Sequence, residues 1–420
     1  LRHWFVSYLL ENTKTILQPI YGTIYCPSLL RALGAKIGAG SEVSTVSHIT
    51  PNLLEVGEKS FLADACLVGG QRINGGTVEV GKVSIGARSF IGNSAVVAGG
   101  HTIGSNALIG AASTPPANVR DVPNDTKWFG APGFALPQTQ QEASFDDKEI
   151  FAPTRGALIA RTLTDTARVL LPGTIFALEM VTFATLIVLA HRAMMPTSLL
   201  VLFVPLLASA LAFVSMRLSA LVKAVFIGRN APVTKPLWSR FIWNNELVNG
   251  VYETVAAPAM APLLGTPFLA AYLRLMGCKV GKWCYLGTTL FSEFDLVEIG
   301  DRACLNIGST IQTHLFEDRV FKADVVRIGD GCSVGNMAVV LYGTEMRDRS
   351  NLGPLSVLMK GEMLPEASRW HGTPCEPVAL AKPRTAEAVK PISTELDMNI
   401  QLKPERRRAK ESVGSLQPAA

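Results

Sequence analysis

The chain has 420 residues, enough for two or more hydrophobic cores. Only 17% are charged, the net charge is +5 and the mean hydropathy is +0.27, apolar for a soluble protein and pointing to contact with a lipid bilayer. No basic stripe interleaved with aromatics occurs, so a nucleic-acid partner is not expected.

Residues 1–150 open with an aromatic-rich, helix-compatible stretch from Trp4 to Leu30 and then acquire a short rhythm. IGAGSE begins at 37 and VGEKSF at 56, and from Ile85 the units IGARSF, IGNSAV, VAGGHT and IGSNAL follow without a break. An aliphatic residue thus recurs at 85, 91, 97, 103 and 109. A six-residue unit of this kind makes one short strand and a corner, with the aliphatic side chain inside a prism and a glycine or other small residue permitting the bend. The pattern predicts a left-handed parallel β-helix.

Residues 151–235 are a linker and two apolar runs. Val169–Ala190 carries one charge, Glu179, and Ala193–Met216 carries none, with His191 and Arg192 between them. Each run reaches the ~20 residues a spanning helix needs, so the pair is read as a transmembrane hairpin. A buried hairpin in a soluble core is the alternative. Arg155, Arg161 and Arg168 precede the runs, and Arg217, Lys223 and Arg229 follow them. The positive-inside rule then places both flanking domains in the cytoplasm of a multi-pass protein of a bacterial-type inner membrane. Glu179 within a span marks a polar path, an interhelical contact or a position nearer the interface.

Residues 236–380 write the first domain again. After a second aromatic-rich stretch, Trp238 to Arg274, come VGKWCY at 280, IGDRAC at 299, IGDGCS at 328 and VGNMAV at 334. Gly34, Gly57, Gly86 and Gly92 correspond to Gly277, Gly300, Gly329 and Gly335, each 243 residues on, and the copies close on WFGAPG (128–133) and WHGTPC (370–375). Residues 381–420, with KPERRRAK, read as a disordered tail. The expected fold class is mainly β with membrane helices: two left-handed parallel β-helix domains joined by a transmembrane helical hairpin. Seven cysteines, an odd number without CxxC, fit neither a disulfide framework nor a zinc knuckle and are read as reduced packing residues. Six scattered histidines lack metal-ligand spacing, and no metal is expected. The start at Leu1 and the lack of a signal peptide suggest a piece of a longer chain.

Chemistry is sought in NIGSTIQTHLFEDRVFK, Asn306 to Lys322. His314 follows Ile311 by three, at a coil corner where side chains project outward, and the chain then makes an excursion before returning at Ile328. Imidazole titrates near neutrality and suits a general base. Glu317 or Asp318 is placed to fix its tautomer, and Arg319 to hold an anion or pair with the acids. Glu293 and Asp295, in SEFDLVEIG, are partners behind the base or plain turn acids. The competing reading is a solvent-facing corner with ordinary ion pairs. Gln71 stands in the first copy where His314 stands in the second, and Ala63 where Asn306 stands, so only the second copy holds this base. His101 is a second candidate; His48 and His371 are weaker ones. No phosphate loop, dinucleotide fingerprint or Gly-x-Ser-x-Gly elbow occurs.

The hexapeptide rhythm resembles the left-handed β-helix acyltransferase superfamily. More narrowly, FSEFDLVEIGDRACLNIGSTIQTHLFEDRVFK (291–322) resembles the C-terminal region of the epsilon-poly-lysine synthetase type of nonribosomal peptide synthetase. That resemblance implies that residues 1–380 are the last two of three tandem condensation domains with their membrane hairpin. It implies upstream adenylation and carrier domains, a third β-helix copy and a trimer-like assembly as partners. It also implies amide formation between an aminoacyl thioester, carried on a phosphopantetheine arm, and the amine of an amino-acid substrate, with no cofactor bound in this chain. His314 would be the base, Asn306, Gln312 and Thr313 its substrate-binding neighbours, and Glu317, Asp318 and Arg319 would shape the loop. Two alternatives stand beside it: a stand-alone membrane O- or N-acyltransferase using acyl-coenzyme A, and a non-catalytic scaffold.

Overall fold

The computed structural model describes residues 2–13, 17–45, 49–116, 118–136, 145–317 and 319–378. The expectations for His48, Asp318 and the 381–420 tail lie outside these residues.

The six-residue units form short strands that stack coil upon coil into parallel sheets. In the second copy one face is Lys279–Val280, Val297–Ile299, Val326–Ile328, Glu345–Met346 and Met363–Leu364. A second face runs from Tyr285–Leu286 to Arg369–His371, and a third holds Thr310–Gln312, Val339–Leu341 and Val357–Leu358. The first copy repeats this, with Lys36–Ile37, Leu54–Val56 and Val83–Ile85 opening the matching face. The recurring aliphatics are the core: Ile85, Ile91, Val97, Ile103 and Ile109 are all buried. The hexapeptide glycines serve a different purpose from the expected bend. A Cβ on Gly57 would lie 2.4 Å from the Ala87 nitrogen of the next coil, so glycine is required for close stacking. The corners with positive φ are carried instead by residues such as Lys59, Arg88 and Asn106.

Between the copies stand two long helices, Arg155–Arg192 and Thr197–Phe226, both long and apolar enough to cross a membrane. The turn is Ala193–Pro196 rather than His191–Arg192, because Pro196 begins the second helix as its N-cap and Met194 takes a positive φ. Only 11% of each apolar stretch is buried, which a core hairpin would not show, and Leu163, Phe176, Val181, Leu202 and Leu206 are exposed. Ser215 donates to Glu179, so Glu179 makes an interhelical contact.

Each helix is also tied to a coil by a buried ion pair. The Arg161 guanidinium donates to both Glu42 oxygens at 2.9 Å, linking the first helix to the first copy. Lys223 meets Asp295 at 2.7 Å, linking the second helix to the second copy. Removing one partner of either pair would leave a buried charge unpaired, so the pairs tie each helix to its coil.

Candidate active site

After Thr310–Gln312 the chain leaves the coil and makes an antiparallel hairpin, His314–Glu317 with Val320–Ala323, extended by the strand Val233–Pro236. The expected excursion is therefore ordered sheet. Leu315, Phe316, Val320 and Phe321 are buried on it. Phe316 and Phe321 join Phe61, Ala63 and Phe90 of the first copy and Leu237, Ile242 and Trp243 in one apolar cluster. The His314 ring stacks on Phe321 at 4.6 Å between centroids, which fixes its plane.

Behind the ring stands Glu293. Its Oε2 lies 2.6 Å from His314 Nδ1 and 2.6 Å from the Thr313 hydroxyl. Its Oε1 accepts from Asn245 Nδ2 at 2.6 Å and from Asn249 Nδ2 at 3.2 Å. Four donors saturate one carboxylate. Glu293 is 1% exposed and sits in the left-handed region at φ 33°, a strained conformation for a residue with a Cβ and one often found at functional sites.

Burial would raise the Glu293 carboxyl, but the charge of His314 and the hydrogen bonds from His314, Thr313 and Asn245 outweigh it and hold the carboxyl at about 2. Burial likewise works against a charged His314; the Glu293 charge and hydrogen bond, then Asp64 and Glu246, outweigh it and raise the imidazole above its usual range. An ionised carboxylate only accepts, so Nδ1 carries the proton and Nε2 is the basic nitrogen of the neutral ring.

Two further carboxylates border the site. Asp64 follows Ala63 of the aromatic cluster, and Glu253 lies on a single π-helical turn, Tyr252–Ala256, where Gln18 donates to it at 3.2 Å. Both side chains reach solvent, yet surrounding protein pushes both carboxyls up, partly offset for each by His314 and Arg168. A π-helical turn is a frequent mark of function. Glu246, paired with Arg168 at 3.2 Å, is pushed up to about 7 by burial.

The other residues singled out in the sequence have different surroundings. Glu317 accepts from Tyr342 at 2.7 Å and pairs with Lys322 and Lys360, so the tautomer of His314 is set by Glu293 rather than by Glu317. Asp295 pairs with Lys223, not with the imidazole. Asn306 Nδ2 donates to the Val334 carbonyl at 2.8 Å, a bond between neighbouring coils. Gln312 aligns with Leu341 on the third face. Arg319 reaches into the first copy, donating to the carbonyls of Gly40 and Ser60. His101 bonds to the Ala98 carbonyl and His371 to Ser356. Among the described residues no group of three metal-type ligands occurs. Asn245 and Asn249 went unread in the sequence; the signal was two asparagines at i, i+4, on one face of the helix Arg240–Val251.

Beyond this geometry, the chain has a curated relative that it matches over 90% of its own length. In particular, the chain is similar to delta-poly-L-ornithine synthetase of Acinetobacter baumannii (strain AB307-0294), with 37% identity over 379 residues, covering 90% of this chain and 28% of that protein. The chain thus spans about a quarter of the length of this curated relative. The resemblance read at 291–322, to a synthetase of a poly-amino acid, accords with the name of this relative. No protein-family model matches the chain. Among solved structures it is similar to a maltose O-acetyltransferase from Clostridium difficile 630 (16% identity, 30% of this chain and 84% of that one, TM-score 0.24). It is also similar to a hexapeptide-repeat acetyltransferase from Vibrio cholerae (18% identity, 30% and 89%, TM-score 0.24).

Proposed function

We propose that this chain is the condensing part of a membrane-bound poly-amino-acid synthetase and forms amide bonds at His314. The observation that carries the reading is the His314–Glu293 pair, with Nδ1 held by a saturated carboxylate and Nε2 left as the base. In the proposed step the amine nitrogen of an amino acid attacks the carbonyl carbon of an aminoacyl thioester on a phosphopantetheine arm. Nε2 takes the proton from the nitrogen, the C–S bond breaks, and the proton passes to the departing sulfur. The amide and a free thiol result. Asp64 and Glu253 are the acidic groups near the imidazole that a cationic acceptor would meet. A carrier protein as donor accords with the resemblance to a nonribosomal peptide synthetase; coenzyme A would be the donor of a stand-alone acyltransferase. The test is product formation by the full-length parent with His314→Ala beside Gln71→Ala, with adenylation and carrier loading followed separately. The expected result is normal loading with product lost only for His314→Ala, and product at the parent rate from that variant overturns the assignment.

The same proposal includes left-handed coils, a transmembrane hairpin with both coils in the cytoplasm, and a third coil. The exposed apolar helices and the exposed aromatics Trp4, Phe5 and Tyr8 support the membrane placement. The third coil is supported by an interface left open at both ends. In the first copy the corner bearing Asp64, Ser94 and Ala112 lies toward the second copy's hairpin, through Phe61–Phe316 and the packing of Ala111 and Ala112 with Leu315 and Leu341. The equivalent corner of the second copy is bare, with Ile307 67%, Met337 64% and Leu355 68% exposed, and the first copy's own hairpin, Arg72–Asn74 with Thr77–Glu79, is exposed throughout. A head-to-tail contact of this kind closes when a third unit bridges the two free ends. A cysteine at Met337 should react with a membrane-impermeant maleimide in this chain and be protected in the parent, and labelling should require access from the cytoplasmic face. Reaction in the parent removes the third coil from the proposal; labelling from the outer face reverses the orientation.

A further inference from the structure

The first coil has no base of its own: Gln71 replaces His314 and Thr50 replaces Glu293. Its contact with the hairpin suggests what it does instead. Arg319, at the hairpin tip with φ 64°, is 2% exposed although it is charged. Its Nη2 donates to the Gly40 carbonyl at 2.7 Å and the Ser60 carbonyl at 3.0 Å, both in the first coil. The guanidinium lies 5.1 Å from the Phe151 ring centre, and Arg88 flanks the same ring at 4.8 Å. Along the hairpin from this tip, Phe316 packs on Phe61 of the first coil at 5.2 Å and on Phe321 at 5.4 Å. Phe321 in turn stacks on His314. A continuous packed path therefore runs from the Arg319 anchor to the plane of the imidazole.

We propose that Arg319 is a positioning residue for the His314 base, and that the first coil serves as the anvil against which it holds the hairpin. This rests on the reading of His314 given above. Backbone carbonyls of a stacked coil are rigid acceptors, and one guanidinium nitrogen donates to two of them while the plane covers an aromatic face, so the tip has one seat. The Glu293 side of the pair is fixed independently by Asn245, Asn249 and Thr313. Loss of the anchor therefore moves the ring relative to its carboxylate and to the substrate, and a misplacement of about 1 Å costs on the order of 100-fold in rate. Arg319 is 2% exposed and therefore closed off from a reactant in solvent, so its effect belongs in kcat rather than KM.

The test uses the full-length parent with Arg319→Ala, Arg319→Lys, Phe151→Leu and His314→Ala, measuring carrier loading, kcat and acceptor KM for product formation, and the thermal midpoint. Arg319→Ala should lower kcat by roughly 10- to 100-fold, with KM, loading and the midpoint near those of the parent. Arg319→Lys, which keeps a donor for the two carbonyls, should restore part of the rate, and Phe151→Leu, which keeps both hydrogen bonds, should cost least. Unchanged kcat in Arg319→Ala beside an inactive His314→Ala overturns the positioning role alone. So does a fall in kcat that only tracks loss of folded protein across the Arg319 and Phe151 variants. An active His314→Ala overturns the base assignment itself and this inference with it.

Discussion

Glu293→Gln is expected to lower product formation by roughly 10³- to 10⁴-fold while leaving amino-acid activation and carrier loading untouched. The side chain keeps its size, so the effect is one of hydrogen-bond direction. Glu293 accepts from His314 Nδ1, Thr313, Asn245 and Asn249. A carboxamide has one accepting and one donating end, so whichever way it turns, at least one contact sets a donor against a donor. If the amide N–H faces the imidazole, the proton moves to Nε2 and the ring presents no lone pair to the amine. The charge that stabilises the imidazolium after proton transfer is lost as well. Separate assays of loading and condensation by the parent enzyme give the answer: a condensation rate within about tenfold of the parent would reduce Glu293 to a structural carboxylate.

The second large effect is on pH dependence. A base at His314 would work as the neutral ring, and, against burial, Glu293 raises the folded-state pKa of His314 above the ordinary 6.5, assisted by Asp64 and Glu246. The acid limb of the condensation rate should therefore have its half-point above 6.5 and move to lower pH in Glu293→Gln. Stability runs the opposite way. A histidine whose pKa is raised on folding contributes fully below its unfolded value and loses that contribution as the pH climbs through the folded value. Glu293, held at about 2 against an ordinary 4.5, contributes above 4.5 and loses its contribution as the pH falls toward 2. The pair stabilises most between 4.5 and 6.5, and condensation switches on as the imidazole part of that stability is surrendered. A pH–rate profile, with thermal midpoints against pH for the parent and His314→Ala, checks both signs. An acid limb at or below 6.5, or a midpoint–pH curve identical in the two proteins, would contradict the ion pair.

Local periodicity determines much of this protein. The six-residue rhythm gave parallel coils because an inward aliphatic every sixth position and a glycine beside it leave the backbone few other ways to close a core. The 243-residue offset gave the duplication, and two apolar runs of more than twenty residues gave the exposed helices. His314 was legible because an excursion interrupts the rhythm beside it and because Gln71 stands in the other copy. Its partner was not. Glu317 and Asp318 lie nearest in sequence, but side chains alternate along the strand His314–Glu317, and its far end meets Tyr342, Lys322 and Lys360.

Only the tertiary structure decided that Glu293, twenty-one residues away, lies behind the imidazole. One coil turn separates the two in sequence, and stacking the coils brings corners of adjacent turns together. The asparagines that orient it come from a helix some forty to fifty residues upstream, and Asp64, Phe61 and the Gly40 and Ser60 carbonyls come from the other copy, more than two hundred residues away. Sequence periodicity reports what each residue does within its own coil. It is silent on which coil meets which, because that is fixed by the hairpin, the ion pairs of Arg161 and Lys223, and the aromatic cluster acting together across the whole chain.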